Sequence, residues 1–388
     1  MINSSWMRSL IKSLGAHFTR PISYLAIGCL FAFGLLQIED PQPDHDLQGQ
    51  TNDPIPILVY YYIWYDERSW DRAKKDYPLL GRYSSDDISV MQRHIEWAMD
   101  AGIDGFIVSW KDTDKLTPRL EQLTRLAEQR DFKLAIIYEG LDFYRNPLPV
   151  EKISSDLDYF IEHFADSRAF DLFEKPVVIW SGTWEFTRDE IKHVTEGRRN
   201  QLLILASEKN LDGYRRLSDL VDGDAYYWSS VNPQTHPGYP EKLSSMSALI
   251  HASNGLWIAP AAPGFDARML GGETVVERRN GETLRVEMDV ALRSSPDAIG
   301  IISWNEFSEN SHIEPSENFD HFYLKELAEL LRAEPPQVPD FDSSIPGYTW
   351  SQIGIGNLMA LGSLFLLILA SLFVIVRRDR SNLTTGKR

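Results

Sequence analysis

The chain has 388 residues, is 43% hydrophobic and 24% charged, and carries one cysteine and a formal charge of −17. One cysteine excludes an intramolecular disulfide and a cysteine-based zinc site. The acidic balance opposes a general nucleic-acid role, because a phosphate backbone demands a positive field, and the apolar content is too high for a disordered chain.

Residues 1–38 hold three basic side chains, Arg8, Lys12 and Arg20, and no acid. An apolar run, 22–38, follows them and acids come next. This reads as a signal peptide or an uncleaved signal anchor with its N-terminus inside. Residues 39–55, rich in Pro, Asp, Gln and Asn, read as a linker.

Residues 56–332 alternate β-rich runs with amphipathic stretches. The predicted strands are 57–65, 105–110, 134–139, 177–181, 202–207, 224–229, 256–260 and 299–304. The clearest helix spans 86–99, with Ile88, Met91, Ile95 and Met99 on one face, Ser84 or Ser85 as N-cap and Gly102 just past the end. Further helices are expected over 118–129, 157–164 and 322–331. Strands alternating with helices eight times predict an α/β fold, a (β/α)8 TIM barrel, whose usual size is roughly 250 residues. An open doubly wound sheet is the competing architecture. It usually opens with a Gly-rich turn, whereas the first strand here ends in Tyr60-Tyr61-Tyr62-Ile63-Trp64-Tyr65.

Residues 333–352, with Pro335, Pro336, Pro339 and Pro346, read as a stiff stalk. Residues 353–376 form an apolar run whose one strongly polar side chain is Asn357. A bilayer span needs about 20 such residues, so a transmembrane helix is expected. The tail, 377–388, holds five basic residues and one acid, which places it in the cytoplasm by the positive-inside rule. Residues 39–376 hold 31 basic and 55 acidic side chains. The expectation is a cell-membrane protein, with the lipid bilayer as partner and the acidic body on the extracytoplasmic side. The body carries no Asn-x-Ser/Thr sequon, which suits a bacterial exported chain.

In such barrels chemistry sits at the C-terminal ends of the strands. Those ends carry Tyr62, Trp64 and Tyr65, then Trp110, Tyr138 and Glu139, Trp180 and Trp184, Glu208, and Tyr226-Tyr227-Trp228. The last strand runs into Ser303-Trp304-Asn305-Glu306-Phe307-Ser308-Glu309. Sugar C–H faces pack on aromatic rings, and sugar hydroxyls pair with carboxylates and amides. Any one of these rings fits a core position equally well; the set, gathered at one end, favours a carbohydrate cleft. Glu306 and Glu309 are the sharpest pair, because glycoside cleavage uses one carboxyl at the leaving oxygen and a second at the ring. Tyr62, Trp64 and Asn305 are expected substrate contacts beside them. Glu309-x-x-His312 matches half of a di-iron motif and its second half is missing, so no metal is expected. No HExxH, GxSxG or P-loop sequence occurs.

From Val59 to Pro315 these blocks resemble glycoside hydrolase family 99, the endo-α-1,2-mannosidases, and their bacterial relatives. The carriers are Tyr61-Tyr62-Ile63-Trp64-Tyr65, then Gly81, Tyr83-Ser84-Ser85, Asp87 and His94, then Ala101-Gly102-Ile103-Asp104-Gly105 with Ser109-Trp110. Pro263-Gly264-Phe265-Asp266 and the run from Ser303 through Glu306, Glu309 and Glu314 to Pro315 complete the set. The resemblance implies a retaining hydrolase that passes through a 1,2-anhydro sugar, with Glu306 as base on the sugar 2-hydroxyl and Glu309 as acid, then base. It further implies Glu139, Trp110 and Tyr227 as substrate-site residues, a glycan as partner and no cofactor. Phe307, Ser308 and Asn310 depart from the family's usual Trp, His and Gly. Those departures keep two other readings open, a non-catalytic glycan-binding ectodomain and a surface-polysaccharide assembly protein.

Overall fold

The computed structural model describes residues 54–233 and 235–332. Eight parallel strands form the frame: β1 Ile57–Tyr62, β2 Gly105–Ser109, β3 Lys133–Glu139, β4 Val177–Ser181, β5 Leu203–Leu205, β6 Gly223–Ala225, β7 Leu256–Ala261 and β8 Ala298–Ile301. A helix follows each: α1 Ile88–Asp100, α2 Leu116–Arg130, α3 Val150–His163, α4 Arg188–Thr195, α5 Leu211–Leu217, α6 Tyr239–Ala252, α7 Glu282–Arg293 and α8 Phe322–Leu330. The strands pair in the order β5-β4-β3-β2-β1-β8-β7-β6. The ring closes at one residue: the Ala206 N–H donates to the Gly223 carbonyl and the Ala225 N–H to the Ala206 carbonyl, both at 2.9 Å. This is the (β/α)8 barrel that the alternation predicts.

Strand side chains alternate between two faces, and here both faces are buried. Leu58, Tyr60, Ile107, Ile137, Ile179, Leu205, Ala225 and Ile258 fill the barrel. Val59, Tyr61, Val108, Ile136, Val178 and Ile204 pack outward under the helices. A strand buried on both faces reads as a continuous apolar run, which is why the β-rich runs stand out in the sequence. Gly300 leaves room inside: a Cβ there would lie 2.9 Å from the Tyr60 ring.

Two local expectations change. Helix α1 is capped by Asp87, whose side chain accepts the Ser89 N–H at 2.9 Å, and not by Ser84 or Ser85. Ser84 instead bonds Asp86, which holds the buried guanidinium of Arg119. The buried face is centred on Met91, His94, Ile95 and Ala98, and Ile88 and Met99 at its edge are exposed. Helix α3 begins well before residue 157, directly after Pro149. Among the described residues no helix is long and apolar enough to cross a membrane. The expected signal segment, 1–38, and transmembrane segment, 353–376, lie outside the described residues, as do the stalk, the basic tail and almost all of the linker.

Candidate active site

The segment after β8 doubles back on itself and presents its carboxyls at the C-terminal mouth. The Ser303 N–H donates to the Ser311 carbonyl at 2.9 Å, and the Glu314 N–H donates to the Trp304 carbonyl at 2.9 Å. Inside this loop the Glu306 N–H donates to Ser303 Oγ at 2.9 Å, and Glu306 Oε1 accepts the Ser308 N–H at 3.0 Å. Phe307 lies beneath, 4.0 Å from the His312 ring and 5.5 Å from Trp70. Asn305 is fully buried and ties the loop to the end of β1.

Burial pushes the Glu306 carboxyl up to about 8, and the nearby charge of Glu309 adds to that, while the Ser308 hydrogen bonds and the Lys74 charge oppose it. Glu309 is half-buried and is also raised, first by burial; the charge of Arg145 pulls it down and that of Glu139 pushes it up. Glu139 at the end of β3 is raised by burial and held back by a Ser181 hydrogen bond and the charges of Lys111 and Arg145. Three carboxyls therefore share one mouth, and burial raises each of them.

The Tyr62 and Tyr227 hydroxyls hydrogen-bond to each other among these acids. Burial raises both phenols, with Glu306 and Glu309 adding to Tyr62 and Glu139 and Glu309 adding to Tyr227. Tyr62 stacks on Trp64 at 4.3 Å, and Tyr227 lies 4.5 Å from Tyr60. The structure thus brings together Glu306, Glu309, Glu139, Tyr62, Trp64 and Tyr227.

Two expected contacts sit elsewhere. Trp110 is fully buried in the outer layer, with Phe160 at 5.8 Å and Phe164 at 6.1 Å, so its ring packs under α3 and does not line the mouth. Asn305 spends its amide on Tyr62 N–H at 2.9 Å, Tyr62 carbonyl at 3.0 Å and Tyr83 hydroxyl at 3.2 Å, so it positions the loop instead of offering a substrate contact.

Tyr61, Tyr83, His94, Asp266 and Glu314 stand in the blocks that carry the resemblance, but the contacts they make were not foreseen. A buried chain runs from Tyr61 to His94 Nδ1 at 3.0 Å, from His94 Nε2 to Glu314 at 3.1 Å, and from the Tyr83 hydroxyl to Glu314 at 2.8 Å. A two-stranded hairpin, Phe265–Asp266 with Val275–Val276, braces the loop from outside. Its Asp266 N–H donates to the Glu309 carbonyl at 2.7 Å, and Arg278 just beyond it donates to the Asn310 and His312 carbonyls at 2.9 and 2.8 Å. Lys74, Lys111 and Arg145 lie on irregular segments, where no periodicity marks a residue. A cavity of about 810 Å³ opens behind this hairpin, lined by Asp266, Arg278, Asn310, Phe319 and Tyr323; it includes neither Glu306 nor Glu309 and is separate from the mouth. Among the described residues no group of three or more His, Cys, Asp or Glu side chains is arranged to hold a metal ion.

A closed parallel barrel with clustered carboxyls and aromatic rings at its C-terminal mouth defines a TIM-barrel protein with a carbohydrate-type site. The chain belongs to glycosyl hydrolase family 99, whose sequence model matches residues 65–325. It is 24% identical over 289 residues to the glycoprotein endo-alpha-1,2-mannosidase of Mus musculus, covering 66% of this chain and 60% of that one. The Rattus norvegicus counterpart is 23% identical over 272 residues, covering 63% and 57%. The chain thus spans about 60% of the length of these curated relatives. The fold matches the GH99 endo-alpha-mannosidase from Bacteroides thetaiotaomicron with a TM-score of 0.63 at 20% identity, over 72% of this chain and 97% of that one.

Proposed function

We propose that this chain is a glycoside hydrolase of the endo-α-mannosidase type. The observation that carries the reading is the pair of carboxyls that one loop presents at the mouth, Glu306 with its N–H on Ser303 Oγ and its carboxyl on the Ser308 N–H, and Glu309 beside it, both raised by burial. A carboxylate lifted in this way is a stronger base once ionised, and a lifted partner keeps its proton for a leaving group. Glu306 takes the proton of the sugar 2-hydroxyl, and the 2-oxygen attacks the anomeric carbon. The glycosidic bond breaks as Glu309 protonates the departing oxygen, leaving a 1,2-anhydro sugar. Water then gives a proton to Glu309 and attacks the anomeric carbon. The strained C1–O2 bond opens, and O2 regains its proton from Glu306. Two inversions leave the configuration retained.

The family assignment and the names of the mammalian relatives support a mannose-containing glycan as substrate. Glu139, Tyr62 and Tyr227 would line the reacting sugar, and Trp64 would pack on a ring face. The membrane placement belongs to the same reading: the apolar runs 22–38 and 353–376, each with basic residues on the side away from the body, support a signal peptide or signal anchor, a C-terminal transmembrane helix and an extracytoplasmic barrel.

The test compares the 388-residue chain with its Glu309→Gln variant on α-mannans, α-glucans and envelope glycans, following reducing ends. Release by the wild type alone is expected. Saturable glycan binding without release from either would favour the non-catalytic ectodomain, and a donor-dependent transfer product would favour the assembly role. For the membrane placement, the chain should resist alkaline extraction from membranes; recovery in the supernatant would overturn that part.

A further inference from the structure

The ends of β4, β5 and β6 carry a cluster that this reaction does not use. Trp184 sits in a short turn, Thr183–Glu185, just after β4. Trp228 follows β6, and the two ring centroids lie 5.5 Å apart with their planes at 45°. Lys209, beyond β5, brings Nζ to 4.3 Å from the Trp184 ring and 5.3 Å from the Trp228 ring. Three separate strand ends therefore build one group at the C-terminal end of the barrel, where both indoles pack against the outer cluster, to the side of the mouth that holds Glu306 and Glu309. Both indoles are half-buried and Lys209 is exposed.

The ammonium is the unusual member. Among the described residues Lys209 has no ion-pair partner within 4.0 Å. Its neighbour Glu208 is buried and engaged by Arg216 at 3.2 Å. In a chain of charge −17 a cation at the rim, offset only by the buried Glu208 whose carboxyl its charge lowers, stands against the prevailing field. The indoles offer flat apolar faces of the kind on which a pyranose ring packs. A neutral sugar would offer the ammonium only hydroxyl oxygens, weaker acceptors than a carboxylate. An acidic sugar would use both: its apolar face lies on the indole and its carboxylate takes a charge-assisted hydrogen bond from Nζ, a stronger contact than an exposed cation–π pair.

We propose that Trp184, Trp228 and Lys209 form a distal subsite for a carboxylate-bearing sugar, a uronic acid, in the glycan that enters the mouth. The inference rests on the reading of the mouth as a glycan cleft. It makes the preferred substrate an acidic heteroglycan and not a plain mannan.

Calorimetry on the 388-residue chain carrying Glu309→Gln separates binding from turnover. The probes are mannotetraose and a mannotriose capped with glucuronic acid. The capped chain is expected to bind about tenfold more tightly, the scale of one charge-assisted hydrogen bond. Adding Lys209→Met should bring the ratio of the two affinities close to one, and Lys209→Glu should reverse it. Equal affinities before Lys209 is changed, or a ratio that Lys209→Met leaves standing, would overturn the subsite alone. Failure of both probes to bind would overturn the subsite together with the glycan-cleft reading.

Discussion

Asn305 holds the backbone of Tyr62 from both sides: its Oδ1 accepts the Tyr62 N–H at 2.9 Å and its Nδ2 donates to the Tyr62 carbonyl at 3.0 Å. One amide thereby fixes the register between the end of β1 and the loop that carries Glu306. Removing it leaves two buried backbone groups unpaired, each worth about 1–3 kcal/mol. Asn305→Ala is therefore expected to lower stability by roughly 3 kcal/mol and to reduce kcat more than KM. Denaturant melts and steady-state kinetics on one preparation check both, and an unchanged unfolding midpoint would show that the loop is held by other contacts.

Glu306 also costs stability. Its folded-state value of about 8 lies above its ordinary 4.5, so the native state binds the proton more tightly than the unfolded chain. Stability attributable to this carboxyl is then fully present below about 4.5 and is lost as pH rises to about 8. Glu306→Gln removes the titration. It should raise the melting temperature at pH 8 and change it little at pH 4, while abolishing turnover. Melting curves at the two pH values decide this, and a variant less stable than wild type at both would argue against burial as the cause of the raised value.

Which of the expected residues meet at the mouth, and why the Trp110 ring lies elsewhere, follows from strand parity. Leu58 and Tyr60 point into the barrel, so Tyr62 does too; Ile137 does the same for Glu139, and Ala225 for Tyr227. On β2 the inward residue is Ile107, while Phe106 and Val108 face outward, and Trp110 shares their parity. Alternation alone thus separates Trp110 from the others, provided one inward residue on the strand is known. The closing contact at Ala206 had no such signature, because β5 and β6 are three residues each and carry no pattern. The loop motif was legible as a string, with His94, Asp266 and Glu314 among its blocks, but that they and Arg278 brace one another and the loop follows only from tertiary contacts.

Burial and Glu309 raise the Glu306 carboxyl, and Lys74 opposes them after the Ser308 hydrogen bonds. The Lys74 ammonium donates to the Ser69 carbonyl at 2.7 Å. Lys74→Met should move the acidic limb of the kcat/KM profile to higher pH, because it removes a charge that lowers Glu306. The comparison needs only a buffer series on wild type and variant. A limb that stays in place would assign it to another group in the coupled set.

Trp64 and Trp110 make opposite predictions from similar sequence positions. Trp64 is half-buried and stacked on Tyr62 at 4.3 Å, with one side open to the mouth. Trp110 is fully buried against Phe160 and Phe164. Trp64→Ala should therefore raise KM about tenfold, the loss of one ring contact of about 1.4 kcal/mol, with little effect on melting. Trp110→Phe should lower stability by about 2 kcal/mol through imperfect filling of a packed site and leave KM within about twofold, since about 0.4 kcal/mol is the most that a ring without substrate contact would cost. The two variants measured side by side distinguish a cleft ring from a core ring. A KM increase in Trp110→Phe without a loss of stability would move that ring back to the mouth, and with it the argument from parity.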